Sequence, residues 1–301
     1  RRVLRALASE VDDVVPANRA ITLRDLLTFR LGYGAVMAFP PQYPIQHAME
    51  QAGVAPGPQL PALPPDALMA AYGSLPLVHQ PGEQWLYNSG SDILGVLMVR
   101  ATGKSLGEIL RERILEPLGM NDTAFSMPAD KLDRLPNSYG TNFETGEFGI
   151  VDSAEGGQFS RPPVFESGAG GLVSTVDDLL AFGQMMLGLG RFGDQRILAR
   201  PTVETMTTDQ ITPAQKAASI FFPDFWESRG WGFGVSIVTK RDDIFATPGR
   251  YGWDGGYGTS WYVDPQEALI GVLMTQRLMD SPVAPAVFRD FWTSAYQAID
   301  D

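Results

Sequence analysis

The sequence predicts an α/β protein carrying a mostly helical region, with an antiparallel sheet assembled late in the chain. Three observations predict it. Helix-start signals crowd the first two thirds of the sequence, the hydrophobic period changes from helical to alternating at Trp231, and a helical repeat returns at Val287. The 301 residues are 44% hydrophobic and 19% charged, which supplies a sizeable core and excludes a disordered chain. That length accommodates one large domain or two intimate ones.

Each element has its own signal. The pattern Ser/Thr-x-x-Asp/Glu ahead of an apolar run satisfies two orphan backbone donors reciprocally at a helix N-terminus. Thr22 with Asp25 opens one helix, Ser89 with Asp92 a second, Ser105 with Glu108 a third and Ser174 with Asp177 a fourth. Gly103 and Gly188 stand where helix ends favour positive φ, and Pro117 stops the third helix. At the start, Val3, Leu4 and Leu7 read as a helical pattern, with Arg1, Arg2 and Arg5 on its solvated face. Residues 39–65, rich in Pro, Gly and Gln, and 137–170, rich in Gly, Ser and Asn, read as long loops of the kind that border binding sites. Further on, Trp231, Phe233, Val235 and Ile237 alternate, 260–263 is β-rich, and 268–275 is an apolar run after an Asp264-Pro265 turn. Val287, Phe288, Phe291, Trp292, Ala295 and Ile299 then recur at helical spacing. The expected organisation is a mostly helical region with long loops over 1–225, and the C-terminal part of an α/β domain over 226–301. That part holds three antiparallel strands and a covering helix. So small a sheet leaves an edge that is normally paired or covered, and residues ahead of Arg1 are expected to complete it.

Composition excludes several classes of function. A net charge of −12 without a basic run argues against a nucleic-acid partner, because phosphate binding rests on clustered Lys and Arg. Zero Cys excludes disulfides, thiolate zinc sites and a Cys nucleophile. His47 and His79 are the only imidazoles and lie outside any H-E-x-x-H helix, so neither a metal site nor a cofactor is expected. No apolar run reaches the ~18 residues of a membrane span. The chain opens on Arg1-Arg2, shows no signal peptide, and is expected to have lost its true N-terminus. Gly103-Lys104-Ser105-Leu106-Gly107 matches the G-x-S-x-G nucleophile elbow, but a helical pattern precedes it and both His come before Ser105. Ser105 reads instead as a helix cap.

Two segments look unlike ordinary core. In Pro81-Gly82-Glu83-Gln84-Trp85-Leu86-Tyr87-Asn88-Ser89-Gly90, Tyr87 stands immediately before a helix N-terminus. The helix dipole and any nearby ammonium there favour a phenolate, which can take part in proton transfer. The same Tyr can equally pack its ring and bond a carbonyl. In Gly252-Trp253-Asp254-Gly255-Gly256-Tyr257-Gly258, the glycines allow close approach to a strand whose edge N–H can act as an oxyanion donor. A bulged turn with aromatic packing is the other reading.

Together these residues resemble the penicillin-recognising serine hydrolases: class C β-lactamases, DD-peptidases of the same branch and family VIII carboxylesterases. The resemblance runs over nearly the whole chain. Ile21-Thr22-Leu23-Arg24-Asp25-Leu26-Leu27-Thr28 is similar to one family segment, and Gly170-Gly171-Leu172-Val173-Ser174-Thr175 to another. Glu116-Pro117-Leu118-Gly119-Met120-Asn121-Asp122-Thr123 is similar to the family's E-P-L-G-M-x-D-T signature. The resemblance implies a β-lactamase/transpeptidase-like fold, an α/β part around an antiparallel sheet plus a helical part, with a cleft site. By the same resemblance Tyr87 is the proton-relaying Tyr and Gly256 an oxyanion donor. Ser89, Trp253, Asp254, Gly255 and Tyr257 then face the substrate. Trp253, where the family commonly has Lys or His, looks more like the esterases than a β-lactamase.

One family motif is missing. The nucleophile and its base lie in S-x-x-K, yet the residues three positions before Lys104, Lys131, Lys216 and Lys240 are Ala101, Pro128, Pro213 and Ile237. The expectation is an N-terminally truncated serine hydrolase for carboxylic esters, with β-lactams left open. The chain alone would be inert, lacking the segment of its own that carries the nucleophile. The alternative is a non-catalytic ligand- or peptidoglycan-binding protein on the same scaffold.

Overall fold

A computed structural model describes residues 1–57, 59–142 and 145–300. In chain order the elements are β1 (Arg2–Leu4), β2 (Val14–Pro16), α1 (Leu23–Leu27), α2 (Pro44–Gln51), α3 (Pro65–Ser74), α4 (Ser89–Thr102), α5 (Leu106–Leu110), α6 (Glu116–Leu118), β3 (Ser138–Thr141), β4 (Phe148–Asp152), α7 (Val176–Leu187), β5 (Arg191–Phe192), β6 (Gln195–Arg196), α8 (Arg200–Met206), α9 (Pro213–Ala218), α10 (Phe225–Ser228), β7 (Arg229–Trp231), β8 (Ser236–Val238), β9 (Tyr251–Gly255), β10 (Thr259–Asp264), β11 (Leu269–Met274) and α11 (Ala286–Gln297). Two compact units share them. The first is Arg1–Leu106, Val164–Gly171 and Gln210–Trp226, and the second is Gly107–Pro163, Leu172–Asp209 and Glu227–Asp301.

The first unit is mainly helical around a core that includes Leu31, Ile45, Met49, Leu68 and Leu77. Its N-terminus is not helical. β1 pairs antiparallel with β2, and Leu4 N–H donates to Leu77 O while Leu77 N–H donates to Arg2 O, both at 2.9 Å. Apolar residues spaced for a helix are held extended because their backbone groups already have partners in other strands. Arg1 and Arg2 cap the end of α3, donating to the carbonyls of Tyr72, Gly73, Ser74 and Leu75. They satisfy carbonyls that a helix C-terminus leaves unpaired.

The Thr22/Asp25 capping box is present at α1. The starts of α4 and α7 differ in detail. α4 is capped by Asn88 without a side-chain bond, and Asp92 turns to Ser167 Oγ (2.6 Å) and Ala169 N–H (3.2 Å). A Cβ on Gly168 would lie 2.2 Å from Ser91 O, so the 167–169 segment packs directly on α4. A long-range demand on Asp92 has outbid a local one. The 39–65 stretch, read as loop, contains α2, whose buried Gln46 donates to Val36 O (3.1 Å) and Ala38 O (2.8 Å); Pro58 lies outside the described residues.

The second unit is a five-stranded antiparallel sheet, order β11-β10-β9-β8-β7, between two helices. Five strands replace the expected three. The alternating run from Trp231 to Ile237 is a hairpin, β7 and β8, rather than one strand, and Tyr251–Gly255 adds β9. On one face α7 packs through Phe182 and Gly183 onto Trp261 and Ile270. On the other, Trp292 of α11 covers Gly271, where a Cβ would meet its ring at 2.3 Å. The Asp264-Pro265 turn is as expected: Asp264 Oδ1 accepts the N–H of Gln266 (2.9 Å) and Glu267 (3.3 Å), and Oδ2 accepts Tyr296 Oη (2.5 Å).

Pro117 does not stop its helix. A π-turn, Arg111–Leu115, carries the chain on into α6, which ends at Gly119 with φ 70°. The start of α7 is shifted by one residue, with Thr175 accepting from Asp178 N–H. Ser174 Oγ instead meets Thr123 Oγ1 (2.8 Å), and Asp178 Oδ2 accepts from Asp122 N–H and Thr123 Oγ1, both at 2.8 Å. Gly188 ends α7 at φ −74°, and positive φ falls on Leu189 and Gly190. The 137–170 stretch holds the β3–β4 hairpin and a 3₁₀ turn, Gln158–Ser160, with Phe143 and Glu144 outside the described residues. Among the described residues no helix is long and apolar enough to cross a membrane.

Candidate active site

In the first unit Tyr87 sits one residue before the α4 cap, half-buried. Its ring contacts Phe29 (5.9 Å between centroids), Trp85 (5.9 Å) and Phe221 (5.7 Å). Backbone bonds hold it on both sides: Leu86 N–H donates to Phe29 O (2.8 Å) and Ala35 N–H to Tyr87 O, while the Tyr87–Asn88 peptide is cis. Trp85, 1% exposed, donates its backbone N–H to Ser219 Oγ (2.9 Å), which ties in the 219–226 aromatic segment. Gly90 allows this geometry, since a Cβ there would lie 2.7 Å from Leu26 O. Ser89 follows in the first turn of α4, only 2% exposed. Burial pushes the neighbouring Tyr72 phenol up to about 12, Asp92 adds to the rise, and the Ser89 hydroxyl opposes it.

In the second unit Trp253, Asp254 and Gly255 lie on β9. The strand is not at the sheet edge, but its register with β8 covers only Tyr251 and Gly252, so 253–255 are laddered to β10 alone. Side chains alternate. Trp253 stands edge-on to Trp231 (4.8 Å, 86°) on the α7 face. Asp254 points to the α11 face, accepting from Ser260 Oγ (2.6 Å), which itself accepts from Trp292 Nε1 (2.9 Å). Burial raises the Asp254 carboxyl above its ordinary range, against the pull of Ser260 and Arg250.

Arg250, 3% exposed, is a charged group that the sequence did not single out. Its guanidinium lies 3.8 Å from the Tyr262 ring centroid and 4.1 Å from that of Trp292, and its Nε and Nη2 have no hydrogen-bond partner among the described residues. Cation–π contact offsets part of its desolvation.

The β9–β10 connection is the three-residue turn 256–258. Gly258, at φ +86°, closes it by donating to Gly255 O (2.9 Å). Gly256 is exposed, and its carbonyl accepts from Met279 N–H (2.9 Å). Its N–H has no acceptor among the described residues. Tyr257 packs edge-on against Phe159 (5.4 Å, 83°), and its hydroxyl accepts from Gln158 Nε2. Gln158 lies in the stretch read as a loop, and no local pattern marked it.

The fold is β-lactamase/transpeptidase-like, and the chain belongs to the beta-lactamase family, whose model matches residues 4–289. That family is one of serine hydrolases, with esterase and carboxypeptidase members. The chain is 36% identical over 291 residues to the uncharacterized protein MT1414 of Mycobacterium tuberculosis (strain CDC 1551 / Oshkosh), covering 94% of this chain and 69% of that protein. It is 25% identical over 288 residues to Esterase EstB of Burkholderia gladioli, covering 88% and 67%. The solved structure titled EstCE1, a hydrolase with promiscuous acyltransferase activity, shares the fold: TM-score 0.73 at 21% identity, over 96% of this chain and 75% of that one.

Proposed function

We propose that this chain carries the proton-relaying and oxyanion-binding parts of a serine hydrolase that cleaves carboxylic esters through an acyl-enzyme. The observation that carries the reading is the turn after β9, where the exposed Gly256 has an N–H without an acceptor among the described residues. Backbone N–H groups held in this way stabilise charge developing on a carbonyl oxygen without reorganising. Trp253 supports esters over β-lactams. It puts an indole where the resemblance has a cation to pair with a carboxylate, and the EstB relative bears the name esterase.

In this reading a serine hydroxyl attacks the ester carbonyl and its proton passes through Lys and Tyr87 to the departing alkoxide. The oxyanion accepts from Gly256 N–H and from the nucleophile's own N–H. Collapse breaks the C–O bond, releases the alcohol and leaves an acyl-serine, which water hydrolyses to the acid. None of the four lysines completes an S-x-x-K, so this reading takes its Ser and Lys from elsewhere in the protein and expects no turnover by these 301 residues alone.

The test compares the chain alone with the product of its whole reading frame, on a p-nitrophenyl ester and a chromogenic cephalosporin. The expected result is turnover by the whole product only, faster on the ester, with Tyr87→Phe lowering kcat about 100-fold or more. Faster cephalosporin turnover reverses the substrate class. An inert whole product favours the binding-protein alternative.

A further inference from the structure

We propose that Gln158 is a positioning residue for the Gly256 N–H, acting through the Tyr257 hydroxyl. The proposal rests on the ester-hydrolase reading and adds to it a residue outside the strand and tyrosine motifs. The turn 256–258 is held at the carbonyls of its two ends: Met279 N–H donates to Gly256 O, and Thr275 N–H (2.9 Å) and Oγ1 (2.8 Å) donate to Gly258 O. Between those anchors only the Tyr257 side chain reaches outward, and it meets two residues of one 3₁₀ turn, Gln158 by hydrogen bond and Phe159 by ring contact.

That 3₁₀ turn is itself a fixed support. Gln158 N–H donates to Asp152 Oδ1 (3.0 Å), Ser160 Oγ to Gly157 O (2.7 Å), and Met127 N–H to Phe159 O (2.8 Å). Gly157 is required there, since a Cβ would meet Ser153 O at 2.0 Å and Asp152 Oδ1 at 2.4 Å. The hairpin behind it is secured in turn, with Tyr139 N–H donating to Gln276 O and Leu278 N–H to Tyr139 O, both at 2.7 Å. Asp152, Gln158, Tyr257 and Gly256 thus form a chain of contacts from the β3–β4 hairpin to the oxyanion donor. Phe159 alone restrains the ring but leaves it free to slide in its plane. The directional bond from Gln158 removes that freedom. An oxyanion donor acts on the transition state more than on bound substrate, so a misplaced Gly256 lowers kcat and spares KM.

The experiment uses three variants of the whole reading-frame product. Gln158→Ala removes the donor, Tyr257→Phe removes the acceptor while keeping the ring on Phe159, and Gln158→Glu restores a bond by accepting the phenolic proton. The expected result is a kcat about tenfold lower for the first two with KM within twofold, and recovery in the third. Amide exchange at Gly258 accelerates about tenfold in the same two variants, while amides of β10 and β11 are unchanged. Wild-type turnover with kcat unaltered by either removal overturns the proposal and leaves the ester-hydrolase reading intact. If the wild type does not turn over, the ester-hydrolase reading fails on its own. The exchange data then decide the clamp, with local acceleration supporting it and unchanged exchange overturning it.

Discussion

Asp25→Asn tests how much a helix-start carboxylate contributes when it also holds an ion pair. Asp25 is 3% exposed and accepts from Thr22 N–H (2.8 Å), Thr22 Oγ1 (2.7 Å) and both Arg19 Nη atoms (2.6 and 2.8 Å). Burial alone would raise its pKa, but Arg19 and Thr22 overcome that and hold it down, from 3.8 to about 2. A folded-state pKa below the unfolded one means stability that is fully present above the unfolded value and lost as pH falls through the folded one. The shift corresponds to about 2 kcal/mol at pH 7 and, by the same linkage, about 1 kcal/mol at pH 3. Urea unfolding followed by tryptophan fluorescence at pH 7, 4.5 and 3 measures it. The variant should unfold at lower urea at pH 7, with the gap to wild type closing as the pH falls. A gap that stays constant with pH, or is under ~0.5 kcal/mol at pH 7, refutes the reasoning.

Two glycine substitutions should move stability in opposite directions. Helix propensity favours Ala over Gly by up to ~1 kcal/mol, and Gly73→Ala in α3, with nothing within 4 Å of the new methyl, should gain about that. Gly90→Ala should instead lose ~1–3 kcal/mol, because its methyl would press on Leu26 O at 2.7 Å; thermal unfolding of the pair separates the two outcomes. Asp254→Asn should leave stability unchanged or raise it at pH 7–8, with any advantage fading in acid. A buried carboxyl with a raised pKa penalises the folded state once ionised, while Asn still accepts from Ser260. Melting temperature against pH measures this, and a large loss at pH 8 contradicts it.

Local signals in the sequence were reliable where local partners won. Thr22 and Asp25 sit three residues apart and bond each other, and the Asp264 turn closes on its own next residues. Where a residue was claimed from afar, the pattern misled. Asp92 faces Ser167 rather than its own helix start, and Val3 and Leu4 are extended because Leu77 and β2 take their backbone groups. Tyr87 and the 252–258 segment stood out through unusual composition, and the structure places them at a helix mouth and on a sheet hairpin. Gln158 and Arg250 left no trace in the sequence, since their contacts span 99 residues in one case and are aromatic faces in the other.

The interleaving of the two units bears on how the protein is made. The Trp85 backbone N–H and its acceptor Ser219 are 134 residues apart, and Phe221, which packs edge-on against the Trp85 ring, comes later still. At about 5–20 residues per second of synthesis, the indole emerges roughly 7–27 seconds before its partners. During that interval a large aromatic surface is bare on the nascent polypeptide, where chaperones or sister chains can reach it first.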